Sequence, residues 1–179
     1  MSTYIIAEVG INHGNENELL KRMIKSSKDA GCGAVKFQFF QTKNLYPQSA
    51  GKIDWKDKNR EYSYDIYESN QKYEMTNSLI DEAIAYCDKL KIEWLASIFD
   101  IHSLNIAVNK GLKKIKIASS ALTHIPLIRE CAKTKLPIIL STGGATLSEI
   151  EYTVNEIQKY HNDITLLHSN LSYQLQLKD

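Results

Sequence analysis

No stretch of this 179-residue sequence approaches the ~20 consecutive apolar residues that a membrane-crossing helix needs. Its start enters an apolar, β-branched run within a few residues, without a basic segment and long apolar stretch ahead, so no secretory leader is expected. Cysteine is scarce. Cys32, Cys87 and Cys131 form an odd set without CxxC spacing, which reads as small packed thiols rather than disulfide partners or ligands. That usage suits a reducing compartment, and a cytoplasmic protein is expected. Net charge is nearly absent too, formally +1 with scattered lysines, so no field favours nucleic acid or a membrane surface as partner. Neither GxGxxG nor a P-loop motif occurs, which leaves a dinucleotide or P-loop phosphate site unsupported. The five histidines include no HxxxH pair, so no metal ligand set is read.

What is present is ordinary in bulk, 43% hydrophobic and 24% charged, and sufficient for one domain with a sizeable core. The chain is organised around Gly33-Ala34-Val35-Lys36-Phe37-Gln38-Phe39-Phe40. With a period of two, Val35, Phe37 and Phe39 share one face and Ala34, Lys36 and Gln38 the other. A lysine and a glutamine thus project from inside an apolar strand. An unpaired buried ammonium is costly, so Lys36 either lies on a solvated edge or meets an anion.

Upstream, Tyr4 to Gly10 reads as a buried strand with one acid, Glu8, near its C-terminal end. Asn15, with Glu18 three residues on, is a candidate N-cap for a helix carrying Leu19, Leu20, Met23 and Ile24 on its apolar side. Periodicity is then lost from about 41 to 75, where five tyrosines and Trp55 mix with basic residues. Such interleaving can stack single-stranded nucleic acid. Asp54, Asp57, Glu61, Asp65 and Glu68 in the same stretch oppose that, and an insertion loop over an active site is expected instead. Thr76 and Asp100 can cap the next two helices, with strands at Ile92 to Phe99 and Lys114 to Ser119. Lys116, between Ile115 and Ile117, repeats the anomaly of Lys36. A helix from Ile125 to Lys133 leads to a strand at Pro137 to Thr142, then Gly143-Gly144 and a Thr146–Glu149 capping box that opens a long helix. Ile164 to His168 is a sixth strand. His168 reads as a satisfied core histidine, and His13 either organises its loop or serves a site.

Glu8, Lys36, Gln38, Ser97, Lys116, Ser119, Ser141 and His168 all fall at or near the C-terminal ends of these strands. Repeated strand-then-helix steps with that distribution indicate an α/β fold, a (β/α) TIM-type barrel whose polar groups share one mouth. A doubly wound sheet would place its ligand at a topological switch point instead.

Ile5-Ile6-Ala7-Glu8-Val9-Gly10-Ile11-Asn12-His13, Ala34-Val35-Lys36-Phe37-Gln38, Lys116-Ile117-Ala118-Ser119 and Ile139-Leu140-Ser141-Thr142-Gly143 stand in the order seen in sialic acid synthases. The chain resembles that family, the N-acetylneuraminate synthases and their legionaminate, pseudaminate and spore-coat polysaccharide relatives. The resemblance implies a transferase that condenses phosphoenolpyruvate with an N-acylated amino sugar such as N-acetylmannosamine, releasing phosphate. It implies that Lys36 and Lys116 present ammonium groups to phosphoenolpyruvate, with Gln38, Ser97, Ser119 and Ser141 as neutral donors. It makes Glu8 the catalytic acid near the sugar's reacting carbon and Tyr173 a sugar-side residue. Charge-assisted bonds of this kind contribute ~1.5–3 kcal/mol each. Plainer readings stand beside these roles: Glu8 pairing with Lys36 or Lys116, the serines bonding nearby backbone, and Gly143-Gly144 serving turn geometry or offering amides to a phosphate.

The departures are equally specific. A (β/α) barrel has eight strands and ~250 residues, whereas only about six units are readable here. The resemblance implies a divalent metal, manganese or magnesium, but the segments carrying its two histidines have no counterpart. The antifreeze-like domain that the resemblance also implies is not expected here, and Leu171 stands where a polar neighbour of phosphoenolpyruvate is expected. The expectation is therefore one domain over 1–179, C-terminally incomplete, with an insertion at about 41–75. It would be a truncated and inactive synthase, half of a split enzyme completed by another chain carrying the last two strands, or a non-catalytic barrel remnant that binds an anion or a partner; the partner expected is a homodimer mate or a complementing C-terminal chain.

Overall fold

The computed structural model describes residues 3–56 and 61–170. Strand β1 (Ile6–Gly10) is followed by helix α1 (Asn17–Asp29) and strand β2 (Ala34–Phe39), and β1 pairs with β2 in parallel. Parallel neighbours need a crossover, which α1 supplies. The 41–75 region is not a structureless loop. It holds α2 (Thr42–Leu45), an antiparallel hairpin of β3 (Lys52–Lys56) and β4 (Glu61–Asp65), and α3 (Ile66–Gln71). The strand-helix step then resumes: α4 (Asn77–Leu90) to β5 (Glu93–Ile98), α5 (Ile101–Asn109) to β6 (Ile115–Ile117), α6 (Ile125–Lys133) to β7 (Ile138–Ser141), and α7 (Leu147–Gln158) to β8 (Ile164–Leu167).

The large sheet runs β1-β2-β5-β6-β7-β8, every pair parallel and every strand beside its predecessor in the step. A doubly wound sheet reverses its order at a switch point, and this one never does. The winding is that of a (β/α) barrel, six units long, with β1 and β8 at the two ends among the described residues.

The alternation in β2 sorts its side chains. Val35, Phe37 and Phe39 join Leu20 and Ile24 of α1 and Leu79 and Ala83 of α4 in the main core between sheet and helices. Each such side chain fully buried contributes ~1.5–3 kcal/mol of transfer free energy. On the other face Ala34, Leu95 and Ile139 form a separate small cluster, with Ile6 and Leu167 packed against it. Lys36, Gln38, Ser97 and Lys116 sit at the C-terminal side of that inner face.

Caps fix where the helices start. Thr76 Oγ1 accepts from the Leu79 N–H, Asp100 from the Ser103 N–H, and Thr146 and Glu149 form the reciprocal box. Asn15 does not cap α1. It lies in the left-handed region at φ 63, so the helix opens at Asn17 after an uncapped Glu16. The Asn15 amide instead donates to the Lys72 and Glu74 carbonyls (2.7 and 2.9 Å), pinning the far end of the 41–75 region. At the near end, Asp100 accepts from the Gln41 N–H (2.9 Å) and Glu74 from the Thr42 N–H (2.6 Å).

β6 is shorter than expected because Ser119–Ala121 curl into a 3-10 turn. His168 is exposed rather than in the core, since it follows an end strand whose Thr165 and Leu166 are themselves exposed. No helix among the described residues is long and apolar enough to cross a membrane.

Candidate active site

Sheet register assembles the site. Glu8 lies opposite Lys36, and across the next strands Gln38, Ser97 and Lys116 are successive partners. Neighbouring strands are about 4.8 Å apart, close enough for these side chains to meet. The Lys36 Nζ donates to Ser97 Oγ at 2.8 Å and pairs with the Glu8 carboxylate. The Gln38 amide donates to the other Glu8 oxygen at 3.3 Å. Gly10 makes room for this cluster. Its φ is +57, and a Cβ there would stand 3.0 Å from Glu8 Oε1 and 3.4 Å from Gln38 Nε2.

Lys116 is only 7% exposed, and its ammonium donates to the Ile117 carbonyl at 2.7 Å. Burial, then the like charge of Lys36, lower its pKa to about 8 against a smaller opposing pull from Glu8. Among the described residues no carboxylate pairs with it. Among the described residues, two ammonium groups against one carboxylate leave this strand-end set with one uncompensated positive charge.

Ser141 is buried at the end of β7. Ser119 Oγ accepts from the Gly143 N–H at 3.0 Å, so the turn after β6 and the loop after β7 are tied together. Glu8, Lys36, Gln38, Ser97 and Lys116 thus form one contiguous set, while Ser119 and Ser141 belong to the two adjacent strand ends. Tyr173 and Leu171 lie outside the described residues. His13 is fully buried. Its Nδ1 accepts from the Asn15 N–H at 3.0 Å and burial lowers its pKa, so it is a neutral organiser of the β1–α1 loop.

The residues do not fit a metal centre. Among those described, no group of three or more His, Cys, Asp or Glu side chains could hold an ion, and Glu8 is engaged by Lys36 and Gln38.

An open cavity of about 400 Å³ adjoins the set through Gln38 and is walled by Phe40, Tyr46, Asn70, Phe99 and His124. Asn70, Phe99 and His124 were not singled out by sequence pattern. The available signal is positional: in a (β/α) barrel, polar residues between a strand's end and the next helix gather on the mouth side.

The NeuB family model matches residues 23–179. The chain belongs to the NeuB family. It is 36% identical over 174 residues to the N,N'-diacetyllegionaminic acid synthase of Campylobacter jejuni, covering 96% of this chain and 52% of that protein. It is 31% identical over 190 residues to the protein of the same name from Legionella pneumophila, covering 100% and 52%. Among solved structures, the N-acetylneuraminic acid (sialic acid) synthetase of Leptospira borgpetersenii, in complex with citrate, superposes with a TM-score of 0.85 at 30% identity. That match covers 98% of this chain and 57% of the other. This NeuB chain therefore spans about half the length of the curated relatives it matches.

Proposed function

We propose that this NeuB chain forms the phosphoenolpyruvate-binding half of a nonulosonic acid synthase active site. The observation that carries the reading is Lys116, buried beside Lys36 and, among the described residues, partnered by a backbone carbonyl alone. A buried ammonium without a counter-ion is costly, and an incoming phosphate and carboxylate supply the missing charge. Lys36 and Lys116 bind the anion, with Gln38, Ser97, Ser119 and Ser141 as neutral donors around it. Glu8, already within reach of Gln38 and Lys36, acts on the sugar at its reacting carbon, and Tyr173 lies on the sugar side. In the reaction the enol carbon of phosphoenolpyruvate bonds to the aldehyde carbon of an open-chain N-acylated amino sugar. Water then adds to the resulting oxocarbenium carbon and phosphate leaves.

The residues described hold no ligand set for the divalent metal, manganese or magnesium, so no step is drawn through it. The unit is a single incomplete barrel domain over 1–179, with 41–75 as an elaborated insertion at its mouth. Three free thiols suit a cytoplasmic location.

Phosphorus NMR on the purified chain with phosphoenolpyruvate, N-acetylmannosamine and magnesium tests both parts. The phosphoenolpyruvate resonance is expected to broaden on adding protein, with no inorganic phosphate appearing. Phosphate release by the pure chain contradicts the half-site, and an unchanged resonance contradicts the anion site.

A further inference from the structure

The strand-end set contains an anion of its own. The Glu8 carboxylate pairs with Lys36 and accepts from the Gln38 amide at 3.3 Å. Gly10 leaves room for its Oε1, which a Cβ would approach to 3.0 Å. One ammonium, one amide and a glycine turn thus converge on the resting place of a carboxylate. Of the three donors of the Lys36 ammonium, Ser97 Oγ takes one at 2.8 Å and Glu8 another.

That arrangement conflicts with a bound ligand of the kind Lys36 and Lys116 attract. A molecule with both a carboxylate and a phosphate brings more negative charge than the two ammonium groups can match with Glu8 still in place. Like charges in a partly buried site repel far more strongly than exposed ones. The two members of the pair differ in which can give way. The Lys36 side chain is 13% exposed and held by Ser97, whereas that of Glu8 is 44% exposed and regains water by turning outward. Resting on the function proposed above, we infer that Glu8 is an internal counter-ion that holds Lys36 until phosphoenolpyruvate displaces it. The resting pair competes with the ligand, and breaking it frees the Glu8 carboxylate toward the open side of the mouth. One lysine thereby couples the anion site to the acid that acts on the other substrate.

Titration calorimetry of phosphoenolpyruvate into the 179-residue chain, Glu8→Gln and Glu151→Gln, each confirmed folded by circular dichroism, tests it. Glu8→Gln keeps the side chain's shape and removes the competing charge, so affinity is expected to rise at least about tenfold. Glu151→Gln, at an exposed position of α7, removes the same charge elsewhere and is expected to leave affinity unchanged. In the unmutated chain the carboxyl carbon-13 resonance of Glu8, assigned through its own backbone, should move as phosphoenolpyruvate is added. Equal or weaker binding by Glu8→Gln overturns the inference and leaves the anion site standing. An equal gain in Glu151→Gln, or a Glu8 resonance unmoved at saturation, does the same. Binding by Glu8→Gln alone supports displacement and rejects the function proposed above, whose anion site must bind in the unmutated chain. No binding by any of the three overturns both.

Discussion

Lys116 shows most directly how one residue serves binding at the expense of stability. Its pKa falls from 10.5 in the unfolded chain to about 8 in the folded one, a difference of about 3 kcal/mol between the two protonation states. Between those values the unfolded chain binds more protons, so folding stability rises with pH there, and below about 8 the whole cost of the buried charge is present. Lys116→Met is therefore expected to stabilise the chain toward urea at neutral pH, with the gain shrinking as pH is raised through and above about 8. Urea unfolding of both chains across that range checks it, and a destabilised variant would contradict it. Lys36 and Lys116 were legible from alternation alone, because polar residues interrupting an apolar period of two mark the inner face. That Glu8 could pair with one of the two lysines was readable as well; that it is Lys36 was not, since this depends on which residues stand opposite across strands, and a single strand's pattern does not contain its register.

At the scale of elements, caps were the clearest signals. Thr76, Asp100 and the Thr146–Glu149 box each act through their own helix's first turn, an interaction local enough to be written in adjacent residues. Asn15 looked like one more cap. Its side chain is instead drawn to carbonyls far along the chain, a tertiary contact that overrides the local motif. The β3–β4 hairpin was hidden for a related reason: it is exposed and charged, so its alternating Ile53, Tyr62 and Tyr64 stand among acids and lysines. Asp100 joins the two levels, capping α5 while holding Gln41 and Asn44 of the insertion. Asp100→Ala is expected to cost about 1–2 kcal/mol in urea unfolding, most of it the lost cap. Amide exchange at residues 41–45 should rise with it. Unchanged exchange in that segment would show that the insertion is held elsewhere.

At the scale of the whole molecule, sequential parallel order is what makes the site, because a sheet wound in one direction keeps all its C-terminal strand ends on one side. The six strands of the large sheet were readable from repeated strand-helix steps, and the β3–β4 hairpin was not. Nor were the cavity walls, since Phe40, Phe99 and His124 come from three separate loops and Asn70 from α3, which only the folded chain brings together. Family membership, through residues 23–179, agrees with this winding, while coverage of about half of each curated relative makes a half-site the natural unit of function to test. The most direct test is calorimetric titration of phosphoenolpyruvate into the 179-residue chain and into Lys116→Met at neutral pH, both confirmed folded by circular dichroism. The account predicts binding by the first and a loss worth ~1.5–3 kcal/mol in the second. No binding by the unmutated chain, or equal binding by both, would contradict it.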